Sequence, residues 1–315
     1  MIGYGPDNPT WLMFQHCVGI SFQQPANEAT RMQLTERTRT HTCPPVIDWW
    51  ITSRCNLSCD FCYGPRPDRQ EHEDLRRGIL EAICNSRSST ITLAGGEPLV
   101  VKSLAQVTEK LSTHSKRVVL NTNGQLLDQA RAEEIGIGTK VSTVGISVDG
   151  PNSEVHQMMR GHRADFAKTV SAARLVQSIA GAELKMATVL SSVNKSSIFQ
   201  IADLVAEINP ATWRIYQYSP RGYGASSIGR HLLCDDEFEC LIRDLKNRYT
   251  TIRIAESSRK LTAGCFIIDH CGIVREPTLT GYREVGSCLS SSIDDLWRTR
   301  WHAVRRVYEN KSWLD

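Results

Sequence analysis

Residues 51–67 read ITSRCNLSCDFCYGPRP. Cys55, Cys59 and Cys62 stand in the order C-x3-C-x2-C, just after the apolar run VIDWWIT (46–52) and just before a proline-broken loop. Thiolates bind zinc or iron–sulfur clusters, and a structural zinc site is closed by four protein ligands, commonly as two paired sets. No second C-x2-C pair lies elsewhere in the chain. Three compact cysteines therefore leave a coordination position for something that is not protein. A [4Fe–4S] cluster held by three cysteines would leave one iron open.

Outward from the cysteines, the chain alternates short β-rich runs with helical stretches. The predicted strands are VIDWWIT (46–52), TITLAG (90–95), RVVLNT (117–122), VSTVGISV (141–148), LKMATVL (184–190) and WRIYQYS (213–219). Between them, EDLRRGILEAICNS, SLAQVTEKLSTH, LDQARAEEIG, ADFAKTVSAARLVQSIA and SSIFQIADLVAEI read as helices; in the first two, apolar residues recur every three to four positions. Such βαβ alternation predicts parallel strands joined by crossover helices. Six units fit a doubly wound sheet or a barrel short of the usual eight, and periodicity leaves both open. After them come the loop PRGYGASSIGRHL, a helix at DDEFECLIRDLKNRY, short strands in CFIIDHCGIVREP and an amphipathic helix in SIDDLWRTRWHAVRRVYEN.

With 315 residues the chain has ample core for one large α/β domain. Its formal charge of +3 is spread over 37 basic and 34 acidic residues, without a polybasic arm, so no nucleic acid partner is implied. The stretch WLMFQHCVGISF (11–22) is too short to span a bilayer and carries Gln15 and His16, so no membrane partner is expected and the location is read as cytoplasmic. Eleven cysteines, an odd number without a secretory signal, argue for reduced thiols.

CNLSCDFC resembles the C-x3-C-x-Φ-C signature of the radical S-adenosylmethionine (radical SAM) superfamily, with Phe61 as the aromatic position. AGGEP (94–98) resembles that family's GGE motif, which receives the methionine amino group of the cofactor, and brings Gly95, Gly96, Glu97 and Pro98 into the candidate site. Glycines there let backbone pass close to a ligand at the C-terminal end of a parallel strand. LNTNG (120–124) with Asn123 and ISVDGP (146–151) with Ser147 and Asp149 resemble the next strand-end motifs, the second being the ribose contact. Arg160 in HQMMRG matches the residue that reaches the cofactor carboxylate, and Asn194 in TVLSSVN lies toward the adenine by the same resemblance. Alone, a GGEP is a turn, a TNG a loop signal and a buried arginine an ion pair. Their order at the ends of successive strands is what makes the match specific.

The resemblance implies an α/β fold, a partial (β/α)6 TIM-type barrel at 46–220, with an N-terminal extension (1–45) and a short α+β C-terminal extension (221–315) completing the barrel. It implies one three-cysteine [4Fe–4S] cluster at Cys55, Cys59 and Cys62, S-adenosylmethionine, and an electron donor such as flavodoxin or ferredoxin. The implied activity is reductive cleavage of S-adenosylmethionine to a 5′-deoxyadenosyl radical, which abstracts hydrogen from a polar small-molecule substrate. A sugar, nucleoside or nucleotide is expected, with decarboxylation or dehydrogenation in natural-product biosynthesis as examples. Two alternatives stand beside it: a maturase of a ribosomally made peptide, and a non-catalytic metal-binding scaffold. The first 45 residues are too short for a winged-helix peptide-recognition module, and the intact motifs speak against a scaffold.

In relatives with a SPASM or twitch extension, further cysteines bind auxiliary clusters. Cys234, Cys240, Cys265, Cys271 and Cys288 lack those spacings and are read, like Cys17, Cys43 and Cys84, as structural thiols. WRIYQYSP, CDDEFECLIRDL and the following tail resemble viperin-like and twitch-type small-molecule enzymes, but SPRGYGA and SVDG depart from viperin, so nucleotide triphosphate specificity is not carried over. Tyr63, Gln217, Tyr218 and Arg221, at strand ends, are the candidate substrate-facing residues. His156 and His162 read as surface residues of a loop.

Overall fold

The computed structural model describes residues 42–64, 71–259, 266–278 and 281–299. Strands β1 (Val46–Thr52), β2 (Thr90–Gly95), β3 (Arg117–Thr122), β4 (Val141–Ser147), β5 (Glu183–Leu190), β6 (Thr212–Gln217) and β7 (Ile254–Ser257) lie side by side in chain order, all parallel. β8 (Phe266–Ile268) returns to the free side of β1, again parallel, and β9 (Ile273–Pro277) and β10 (Tyr282–Ser287) add an antiparallel ribbon beyond it. The sheet is not closed; β7 and β10 are its two edges.

The crossovers carry α1 (Glu73–Asn85), α2 (Leu104–Thr113), α3 (Gln129–Ile135), α4 (Ser153–Arg160), α5 (Phe166–Ser178) and α6 (Ile198–Ile208); α7 (Asp235–Arg248) links β6 to β7. Alternation along β1 sends Ile47, Trp49 and Ile51 outward into one core with Ile79 and Ile83 of α1, and the same core takes Leu93, Leu120, Ile146, Met186 and Trp213 from later strands. Each such side chain fully buried stabilises by about 1.5–3 kcal/mol. The opposite face holds a separate small cluster, Trp50, Ala94 and Ile267, with Tyr282 packed on it. β1 thus divides its side chains between the helical layer and the barrel interior.

Two sequence expectations change here. The segment 153–160 is a helix where a loop was expected: the Asn152 side chain caps it by accepting from Val155 N at 3.0 Å, and Gly161, at φ 86°, ends it. His156 is accordingly wholly buried, whereas His162 is exposed. Burial lowers the His156 pKa to about 3, with Arg160 adding to the effect, so its ring is neutral at physiological pH. Cys17 and Cys265 and most of the terminal helix lie outside the described residues. No helix among the described residues is long and apolar enough to cross a membrane.

Candidate active site

The C-terminal end of β1 runs directly into the cysteine loop, and the end of β2 is strapped to it. Gly96 N donates to Thr52 O at 2.7 Å and Glu97 N to Arg54 O at 2.8 Å. A Cβ on Gly95 (φ 120°) would lie 2.5 Å from Thr52 O, and one on Gly96 only 2.1 Å from Arg54 O. The close neighbour that these glycines admit is the backbone leading to Cys55. Gly96→Ala is therefore expected to push the Arg54 carbonyl aside, at an overpacking cost of about 1–3 kcal/mol, and to misplace Cys55. Iron content after anaerobic reconstitution, compared with the thermal midpoint, checks this: loss of iron well beyond loss of fold is the expected result.

Glu97, 1% exposed, knots the next strand end to the same strap. Its carboxylate accepts from Thr122 Oγ1 at 2.7 Å, Leu99 N at 3.0 Å and Asn123 N at 2.8 Å. Burial raises its pKa, and these donors oppose that. Asn123 then donates to Asn56 Oδ1 at 2.8 Å, with Cys55 Sγ 4.0 Å from its amide. A continuous chain of contacts runs from β3 through Glu97 to the first cysteine.

Across the loop, Arg160 Nε donates to Asp149 Oδ2 at 2.6 Å, and Asp149 Oδ1 accepts from Val189 N at 2.7 Å. Burial disfavours the Arg160 charge, but Asp149 and Cys59 more than offset it and its pKa is raised. The guanidinium carbon lies 5.7 Å from the Phe61 ring centroid, and Cys59 Sγ lies 3.6 Å from Arg160 O. Asn194 donates from Nδ2 to both Asp149 O and Val189 O at 3.0 Å, so it holds the turns after β4 and β5 together. The Ser147 hydroxyl makes no hydrogen bond among the described residues, which leaves it available to a ribose hydroxyl.

Leu57 N donates to Cys55 Sγ and Gly64 N to Cys62 Sγ, each at 3.4 Å. Such N–H groups favour thiolate ligands, as does the nearby Arg160. Without a metal, burial pushes all three thiols up, Cys59 to about 12. Among the described residues no three donors converge on a single-ion site. Ligands to three separate irons of one cluster need not converge, and this donor set fits that group.

Residues that the sequence reading passed over cover the loop. Gly224 N donates to Cys62 O at 2.8 Å and Tyr223 N to Gly64 O at 3.2 Å; a Cβ on Gly222 (φ 54°) would lie 2.1 Å from Gly64 O. Asp60, inside the cysteine motif, accepts from Arg230 Nη1 at 3.0 Å and meets His231 Nε2 at 2.8 Å. His231 is wholly buried and its other nitrogen faces Ser191 Oγ at 3.2 Å. The available signal was the pair Arg230–His231 in a loop otherwise short of charge.

The four substrate-facing candidates separate. Gln217 spends its amide on Leu233 O, Asp235 Oδ1, Ser258 Oγ and Arg259 N, at 2.9–3.2 Å. Tyr218, 1% exposed, packs on Phe61 and Met159, and its hydroxyl donates to Gly224 O. Arg221 reaches Thr278 O at 2.6 Å and Arg259 O at 3.2 Å. Tyr63 keeps the most open side chain of the four, at 46%.

The family model described as the radical SAM superfamily matches residues 50–205. The chain is 28% identical over 185 residues to the mycofactocin maturase MftC of Mycolicibacterium smegmatis, covering 58% of this chain and 46% of that protein. It is 24% identical over 242 residues to an S-adenosylmethionine-dependent nucleotide dehydratase of Lacinutrix mariniflava, covering 72% and 49%. The chain thus spans about half the length of the curated relatives it matches. Its fold is similar to that of Streptococcus suis SuiB, solved with its precursor peptide SuiA, with a TM-score of 0.67, 14% identity and coverage of 88% of this chain and 72% of that one. Proteins of this superfamily are enzymes that use a [4Fe–4S] cluster and S-adenosylmethionine. A family match that begins inside β1 and ends inside α6, spanning the strand ends described above, shows that this chain belongs to the radical SAM superfamily.

Proposed function

We propose that this radical SAM enzyme acts on a polar small molecule of the sugar, nucleoside or nucleotide kind, held inside the open barrel. The supporting observation is the cover over the cysteine loop: the 222–224 backbone lies on Cys62–Gly64, and Tyr282 OH donates to Tyr63 O at 2.7 Å. A site roofed in this way suits a compact substrate better than a long chain.

In this reading Cys55, Cys59 and Cys62 hold the cluster. Gly95, Gly96, Glu97, Pro98, Asn123, Ser147, Asp149, Arg160 and Asn194 form the shell around S-adenosylmethionine. When bound, these two groups supply a 5′-deoxyadenosyl radical that takes a hydrogen atom from the substrate. The chain's own part is to orient and to exclude water. Asp149 fixes the Arg160 guanidinium, while Phe61, Met159 and Tyr218 pack into an apolar cluster beside the loop. Electrons come from a flavodoxin- or ferredoxin-type donor.

A second reading, modification of a ribosomally made peptide, is favoured by the maturase named among the relatives. Anaerobic reconstitution followed by a 5′-deoxyadenosine assay tests both. Strong reductant should yield 5′-deoxyadenosine, and polar small molecules from a metabolite extract should raise its rate. If only the peptide fraction raises it, the small-molecule proposal falls. If none is formed even with full iron, catalysis by this chain alone falls too.

A further inference from the structure

The buried carboxylates around the site are satisfied by the protein itself. Glu97 has three donors and Asp149 has Arg160. Asp269 accepts from Cys271 N at 2.9 Å, Ile273 N at 3.0 Å and Arg275 Nε at 2.5 Å. Asp48 departs from this pattern. It lies on β1, paired in register with Thr92 on one side and Ile267 on the other, so its side chain shares the inner face with Trp50 and Ala94. It is half-buried, and because Ile47 and Trp49 on either side of it pack into the outer core, it faces the inner side of the sheet. The Thr92 hydroxyl is its polar neighbour, and no lysine or arginine among the described residues acts on it.

One layer nearer the cysteine loop, the Trp50 ring meets Tyr63 at 5.8 Å and Tyr282 edge-on at 5.1 Å between centroids. A half-buried carboxylate with no cation beside it among the described residues, one layer below aromatic rings, can receive one: the carboxylate would supply the charge-assisted hydrogen bond and the rings a cation–π contact. Asp48 lies four residues, about 13 Å at 3.3 Å per residue, from the end of β1 that leads into the cysteine loop.

Resting on the reading that the substrate sits in the barrel, we propose that Asp48 is the specificity-determining group for a protonated amino group of the substrate, with Trp50, Tyr63 and Tyr282 as its aromatic surround. Burial, opposed by Thr92, raises the Asp48 pKa to about 6.

The test uses reconstituted protein with S-adenosylmethionine and matched probes: glucosamine against glucose and N-acetylglucosamine, and Nα-acetyl-lysine amide against its Nε-acetylated form. The amine of one pair should bind about tenfold or more tighter than its neutral partner, as a charged hydrogen bond predicts, and Asp48→Asn should erase that preference. The first pair would point to an aminosugar and the second to a lysine side chain of a peptide. Equal binding of amine and neutral forms in both pairs, or a preference that survives in Asp48→Asn, overturns the proposal. Thermal unfolding separates it from a structural role: the variant should be at least as stable as the parent at pH 7.5, whereas a carboxylate needed for folding would lower the midpoint. If the proposed small-molecule reading fails instead, the 5′-deoxyadenosine assay shows it independently of Asp48.

Discussion

Replacing Cys55, Cys59 and Cys62 together by alanine is expected to take iron from about four atoms per chain to background and to end 5′-deoxyadenosine formation. The remaining cysteines among the described residues give no alternative cage. Cys84, Cys271 and Cys288 are buried, and burial raises the Cys288 thiol to about 12. Cys234 caps α7 by accepting from Glu237 N at 3.4 Å, and Cys240 meets Arg243 at 3.1 Å. Iron analysis and the absorption of the reconstituted triple variant measure the outcome. Four irons left in the variant would mean a second cluster in the C-terminal segment and would overturn the single-cluster assignment. Because the three cysteines lie on a loop and not in the core around Trp49 and Leu93, the variant should keep a cooperative thermal transition.

Arg160→Ala is expected to cost about 3–5 kcal/mol, because it leaves the Asp149 carboxylate buried and unpaired. Asp149 is 0% exposed and Arg160 9%, so the lone carboxylate would remain poorly solvated. A double variant, Asp149→Asn with Arg160→Met, removes both charges and should recover most of that stability. It should not recover the cofactor: both variants are expected to bind S-adenosylmethionine at least tenfold more weakly. Thermal unfolding and cofactor titration on the same preparations separate the two roles. A double variant that binds the cofactor normally would show the pair to be structural alone.

The strands were legible because each parallel strand is a short run with branched or aromatic residues at alternate positions, which bury against the helices. β1, β2 and β3 begin and end where the residues suggest. β8 and β9 were legible as short strands in CFIIDHCGIVREP, whereas β7, four residues long, and β10 were not, since pairing with neighbouring strands of the sheet makes such short runs into strands. The candidate cofactor motifs could be read as an ordered set at strand ends, and the structure adds what each residue touches. For Gly95 and Gly96 the neighbour is the backbone of Thr52 and Arg54, a relation between two loops that no local pattern records. His156 misled because histidine in a Pro-Asn-Ser context looks like surface loop; the Asn152 cap turns that context into a helix start. Asp48 was invisible for the opposite reason. A single acid inside VIDWWIT reads as a blemish in a strand until the register places it opposite Thr92.

The contacts at Gly96, Gly222 and Gly224 also carry a consequence for engineering. Around the cysteine loop, main chain meets main chain at distances that no side chain survives, so a mutational library drawn there will return inactive clones whatever the screen. Positions 50, 63 and 282 meet through rings, which can be exchanged for other shapes. Retargeting this scaffold is therefore a problem of varying the aromatic wall while leaving the glycines around the cysteine loop untouched.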